Sequence, residues 1–137
     1  MVSLPPVAKK FTVLLGQLVQ ITAQLREVLA MEPSQVVMDS AVLRFELMYE
    51  VLWKTLQAHA TWQGKLVQAP REALKHGHRA GLLAGWDTAE EMLGDRNLLI
   101  HTYDLEAARR VYSRLPGYLA FCQQVSAALQ QQQTEDS

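Results

Sequence analysis

The segment from Gln35 to Gln63 constrains the fold more than any other, because on a helical wheel of about 100° per residue it carries two apolar faces. Met38, Ala41, Phe45, Met48, Tyr49, Leu52, Trp53 and Leu56 share a broad face, while Leu43, Leu47 and Val51 make a second stripe. Asp39, Glu46, Glu50 and Gln57 form a narrow polar strip on one boundary between them. A helix apolar on two sides must be covered on two sides. A small bundle cannot supply both neighbours if that helix also meets water. The second stripe therefore reads as an oligomer interface, with Leu43, Leu47 and Val51 as dimer contacts.

The rest of the chain is helical in pattern as well. Phe11, Leu14, Leu15, Leu18, Ile21, Leu25, Val28 and Leu29 fall at three- and four-residue spacing, and that helix ends near Pro33. Gly64 stops the second helix. Pro70 suits the first turn of a short third helix from Arg71 to Leu83, closed by Gly85. Asp87 with Glu90 resembles a capping box that opens a fourth helix running through Tyr103. Asp104 can cap a fifth, whose apolar positions from Leu105 to Leu129 keep phase across Pro116, as two collinear segments or one kinked helix. The glutamine-rich tail from about residue 130 has nothing apolar to bury and is expected to fray. No strand pattern or repeat competes with an all-α helical bundle.

The 137 residues fit one domain, spanning 1–137, with a core that needs no staples. A net charge of −1 gives no general attraction to nucleic acid, so any RNA contact needs a local basic patch. The single cysteine, Cys122, sits at core spacing with Leu115, Leu119, Val125 and Leu129 and reads as packing. With no long apolar run and no leader-like start, the expectation is a cytoplasmic protein that does not touch a membrane.

Chemistry concentrates in Arg96-Asn97-Leu98-Leu99-Ile100-His101-Thr102-Tyr103. The wheel places Ala89, Met92, Leu93, Leu99, Ile100 and Tyr103 on one apolar face with Arg96 in its middle and Asn97 and His101 on its border. A guanidinium there without a partner is costly to desolvate. Either an acidic residue such as Glu46 or Glu50 meets it, or the face opens into a cleft. In the structural reading Arg96 is an ion-pair partner, Asn97 a local hydrogen bonder and His101 a satisfied border histidine. In the functional reading they form an anion-handling site, with an always-charged fork for phosphate and an imidazole able to accept or donate a proton.

Other groupings are less pointed. His76 and His78 face different sides of a helix and lack a third ligand, so no metal site is expected. Arg71, Lys75 and Arg79 recur every four residues as a basic stripe for RNA or a plain solvated face. Glu46 and Glu50 form a like-charge pair in need of a cation, for which Lys54 and Arg96 are the candidates. No glycine-rich phosphate loop or nucleophile elbow is present, and no cofactor is implied.

The run Arg44 to Leu56 followed by Arg96 to Asp104 resembles the nucleotidyltransferase substrate-binding protein family of the HEPN superfamily, over roughly Ala41 to Leu129. The resemblance implies an antiparallel, up-and-down four-helix bundle with one short extra helix. It also implies a homodimer and a complex with a small nucleotidyltransferase encoded by a neighbouring gene. In related HEPN toxins an Arg-x4-His motif, here Arg96 and His101, is a metal-independent ribonuclease site at the dimer cleft, and the nucleotidyltransferase is the antitoxin. Asn97 is available to position either group. In some such pairs the nucleotidyltransferase adds nucleotide to the tyrosine two places after the histidine, which here is Tyr103. The alternative in the same family is a non-catalytic subunit that presents substrate to the nucleotidyltransferase.

Overall fold

A computed structural model of the chain describes residues 6–102 and 104–135. Five helices follow in order: α1 (Pro6–Leu29), α2 (Gln35–Trp62), α3 (Pro70–Arg79), α4 (Trp86–His101) and α5 (Leu105–Glu135). The described residues contain no strand. The long helices α1, α2, α4 and α5 make an antiparallel bundle, and α3 is the short extra element laid against α2.

Local chemistry sets most of the boundaries. Ser34 caps α2, its Oγ accepting from the Val37 N–H at 3.1 Å. Gly64, at φ +80°, ends that helix in a conformation other residues avoid. Asp104 caps α5 through its Oδ1, which accepts from the Ala107 N–H at 2.7 Å. Helix α5 then runs unbroken past Pro116, whose exposed ring faces away from the core.

Three expectations need correction. Helix α3 stops at Arg79, not Leu83, because Gly81 at φ +75° turns the chain so that Leu82 and Leu83 reach the core from a loop. Gly85 consequently caps the start of α4, which ends at His101, and the Asp87–Glu90 capping box does not form. The Glu90 carboxylate is held instead by both terminal nitrogens of Arg71, at 2.8 and 3.0 Å, a charge-assisted pair that outcompetes a backbone amide. Finally, the glutamine run does not fray at residue 130. It continues α5 to Glu135, and the Gln133 Nε2 donates to Thr12 Oγ1 on α1 at 2.7 Å.

The core is the expected one along α1, α2 and α5. Phe11, Leu18, Leu25, Phe45, Tyr49, Leu52, Leu56, Val111, Leu115, Cys122, Val125 and Leu129 are all buried. Phe45 stacks on Tyr118 with ring centres 5.3 Å apart, tying α2 to α5. The second stripe of α2 is different: Leu43 and Leu47 are 53% and 49% exposed, and Val51 is half-buried.

Candidate functional site

Helix α4 turns Ala89, Met92, Leu93, Asp95 and Leu99 inward. This is not quite the face read from the wheel, because Ile100 is 54% exposed while the acidic Asp95 is buried. A groove lies between α2 and the C-terminal half of α4. Two adjoining hollows, of about 510 and 210 Å³, make up this groove, floored by Val42 and Leu99 and walled by Leu43, Leu47 and Ile100. Asp39, Glu46, Glu50 and Arg96 supply its polar edges.

Both alternatives posed for Arg96 hold at once. Its Nη2 lies 3.5 Å from Glu50 Oε2, and its guanidinium sits over the Tyr49 ring, 5.5 Å from the centre. Glu50 is shared, with Lys54 Nζ also 3.5 Å away. One long ion pair leaves most of the five guanidinium donors free, and the side chain is still 29% exposed. Burial raises the Glu46 carboxyl above its ordinary range against the opposing pull of Arg96. Burial likewise pushes the Tyr49 phenol up to about 12, with Arg96 again working in the opposite direction. That phenol and the Trp53 indole N–H are buried without a hydrogen-bond partner among the described residues.

Asn97 and His101 are exposed, and neither shares a hydrogen bond with Arg96 among the described residues. His101 is the last residue of α4. It lies five positions beyond Arg96, which on a helix is roughly 140° of rotation and about 7.5 Å of rise. A single chain therefore displays the two groups on different faces of α4 without joining them. Tyr103 lies outside the described residues.

Two polar clusters escape the sequence reading. In the first, buried Asp95 accepts from Arg114 Nη1 at 2.7 Å and from the Tyr118 hydroxyl at 2.5 Å, fastening α4 to α5. Burial, then the bond to Asp95, drives the Tyr118 phenol far above its usual range. The four-residue spacing of Arg114 and Tyr118, which puts both on one side of α5, was the available signal. The second cluster joins three elements: His59 Nδ1 and His76 Nε2 are 2.8 Å apart, and His59 Nε2 is 2.8 Å from the Gln132 Oε1. Gly77 permits this approach, since a Cβ there would lie 3.0 Å from a Leu56 methyl. His78 instead packs beside Trp86, with ring centres 5.9 Å apart.

A family model described as nucleotidyltransferase substrate binding protein like matches residues 9–131. Among solved structures, the crystal structure of a protein from Thermus thermophilus is similar, at 34% identity and a TM-score of 0.74. That match covers 82% of this chain and 98% of the other. No curated protein matches the chain. No helix among the described residues is long and apolar enough to cross a membrane.

Proposed function

The chain belongs to the nucleotidyltransferase substrate-binding protein family, and on that premise we propose that it is the HEPN-type partner of a minimal nucleotidyltransferase in a two-gene toxin–antitoxin-like module. In this reading it is a cytoplasmic homodimer whose joint cleft cleaves RNA without a metal. The observation that carries the proposal is the unfinished groove. Leu43, Leu47 and Ile100 stand about half exposed around an arginine that has one long ion pair among the described residues. A second copy covering that face removes apolar surface from water and brings two Arg96–His101 pairs to one cleft.

Each group then has a defined task. His101 of one copy takes the proton from an RNA 2′-hydroxyl, and the freed oxygen attacks the adjacent phosphorus. Arg96 holds the charge that builds on the phosphate oxygens. The 5′-oxygen leaves with a proton from the second copy's His101, giving a 2′,3′-cyclic phosphate and a 5′-hydroxyl. Asn97 positions the phosphate or the imidazole. Nucleotide attached by the partner to Tyr103 adds phosphate charge to the segment that carries the motif, and in this reading that modification is the antitoxin's action.

A specific observation favours a second reading, the non-catalytic binding subunit: Arg96 already faces the Glu50 carboxylate, and His101 shares no hydrogen bond with Arg96 among the described residues. Three measurements separate the two. The first is cleavage of RNA in the presence of chelator, abolished in His101→Ala at an unchanged melting temperature. The second is light scattering that shows a dimer, dissociated by Leu47→Asp. The third is a nucleotide on Tyr103 after incubation with the partner and ATP. A dimer that cleaves no RNA and inhibits no growth when expressed without its partner leaves the binding subunit. A monomer indifferent to Leu47→Asp removes the shared cleft.

A further inference from the structure

The basic residues of α3 do not act as the stripe their spacing suggests. Arg71 is committed to Glu90. Lys75 and Arg79 have no ion pair among the described residues, and Lys65 from the α2–α3 connection, equally unpaired, joins them. All three line a single concavity of about 380 Å³, together with Glu72 and His76. The Glu72 carboxylate is turned toward the connection, accepting from the Gln68 N–H at 3.3 Å. His76 is buried and carries no charge near neutrality: burial, then His59, Lys65 and Arg79, push it down to about 4. Three cations therefore converge on one hollow against one carboxylate, in a chain whose net charge is −1.

We propose that this hollow is a polyphosphate site that takes a nucleoside triphosphate. Cations that converge suit a compact ligand with several adjacent negative charges. An RNA strand wants the opposite, an extended track of charge interleaved with aromatic platforms for its bases. No Phe, Tyr or Trp lines this hollow. The site is also separate from the Arg96 groove. Along α2, His59, which holds His76, lies nine residues beyond Glu50, about 14 Å on a helix. The two share no residue, so neither reading depends on the other.

The test is calorimetric titration of the full chain, without any partner, using ATP, tripolyphosphate, inorganic phosphate and a short single-stranded RNA as probes. Saturable binding of one ATP per chain is expected, with tripolyphosphate binding at least as tightly, since the cations read the phosphate chain, and inorganic phosphate much weaker. Lys75→Glu with Arg79→Glu should weaken ATP by at least about tenfold, which is roughly 1.4 kcal/mol. Lys65→Ala should weaken it by a smaller factor, and Arg109→Glu on α5 should bind as the parent chain does. These positions are all exposed, and melting curves verify that each variant folds. Absence of saturable ATP binding overturns the proposal, as does binding unchanged in the double variant. It is equally overturned if inorganic phosphate matches ATP, or if the double variant loses only RNA binding.

Discussion

Asp95 and Arg96 are neighbours in sequence with opposite charge and opposite fates. Asp95 points into the α4–α5 seam, is 4% exposed, and both of its oxygens accept a short hydrogen bond. Arg96, one residue and about 100° further round the helix, faces the groove, with one partner at 3.5 Å. A buried charge with both oxygens held by short hydrogen bonds fixes how two helices meet and is shut away from any ligand. A charge at the edge, only half answered, adds little to the fold and stays available. The contrast separates architecture from chemistry on a single turn of helix.

That separation breaks first at Asp95. Asp95→Ala strands the Tyr118 hydroxyl and removes the Arg114 ion pair, and should cost about 3 kcal/mol, read in thermal unfolding as a fall in melting temperature of roughly 10 °C. A cost below about 1 kcal/mol would mean the seam is held by its apolar contacts alone.

The other closed cluster should answer to acid. The imidazole of His76 sits near 4 in the fold and takes up its proton near 6.5 once unfolded, so the unfolded chain binds more protons between those values. The contribution is full above about 6.5 and is lost as pH falls toward 4, on the order of 2 kcal/mol between pH 7 and 4.5. The corresponding slope should be missing from His76→Gln. An identical slope in that variant would place the acid sensitivity elsewhere.

Arg96→Ala should move stability least, by about 1 kcal/mol or less, because its ion pair is long and partly solvated and the remaining Glu50 keeps Lys54. A loss of about 3 kcal/mol would put Arg96 in the same class as Asp95 and erase the distinction.

The contrast also marks what could be read beforehand. Periodicity exposed the helices, the double face of α2 and the oddity of Arg96, since each is a local pattern. Gly64 and Asp104 gave correct boundaries for the same reason. The ends of α3 and α4 were misplaced because Gly81 and the Arg71–Glu90 pair settle them, and the latter spans 19 residues. Asp95 was overlooked because its partners sit on another helix. His59 and His76 met only once Gly77 let α3 close on α2. The groove shows the converse error: Ile100 has the right composition for a core but borders an open hollow and stays exposed.

The bond from Gln133 to Thr12 joins positions 121 residues apart, so the first and last helices of the bundle are side by side. In kinetic terms that is the most expensive ring the fold closes. Its entropy must be lost before the α1–α5 contacts return anything, whereas the α1–α2 hairpin closes over the short 30–34 connection. Folding should thus begin at that hairpin and end with the docking of α5. A rearranged chain in which Glu135 is linked to Pro6 and the backbone is opened at Gly81 would turn the slowest closure into a local one, refolding faster to the same bundle.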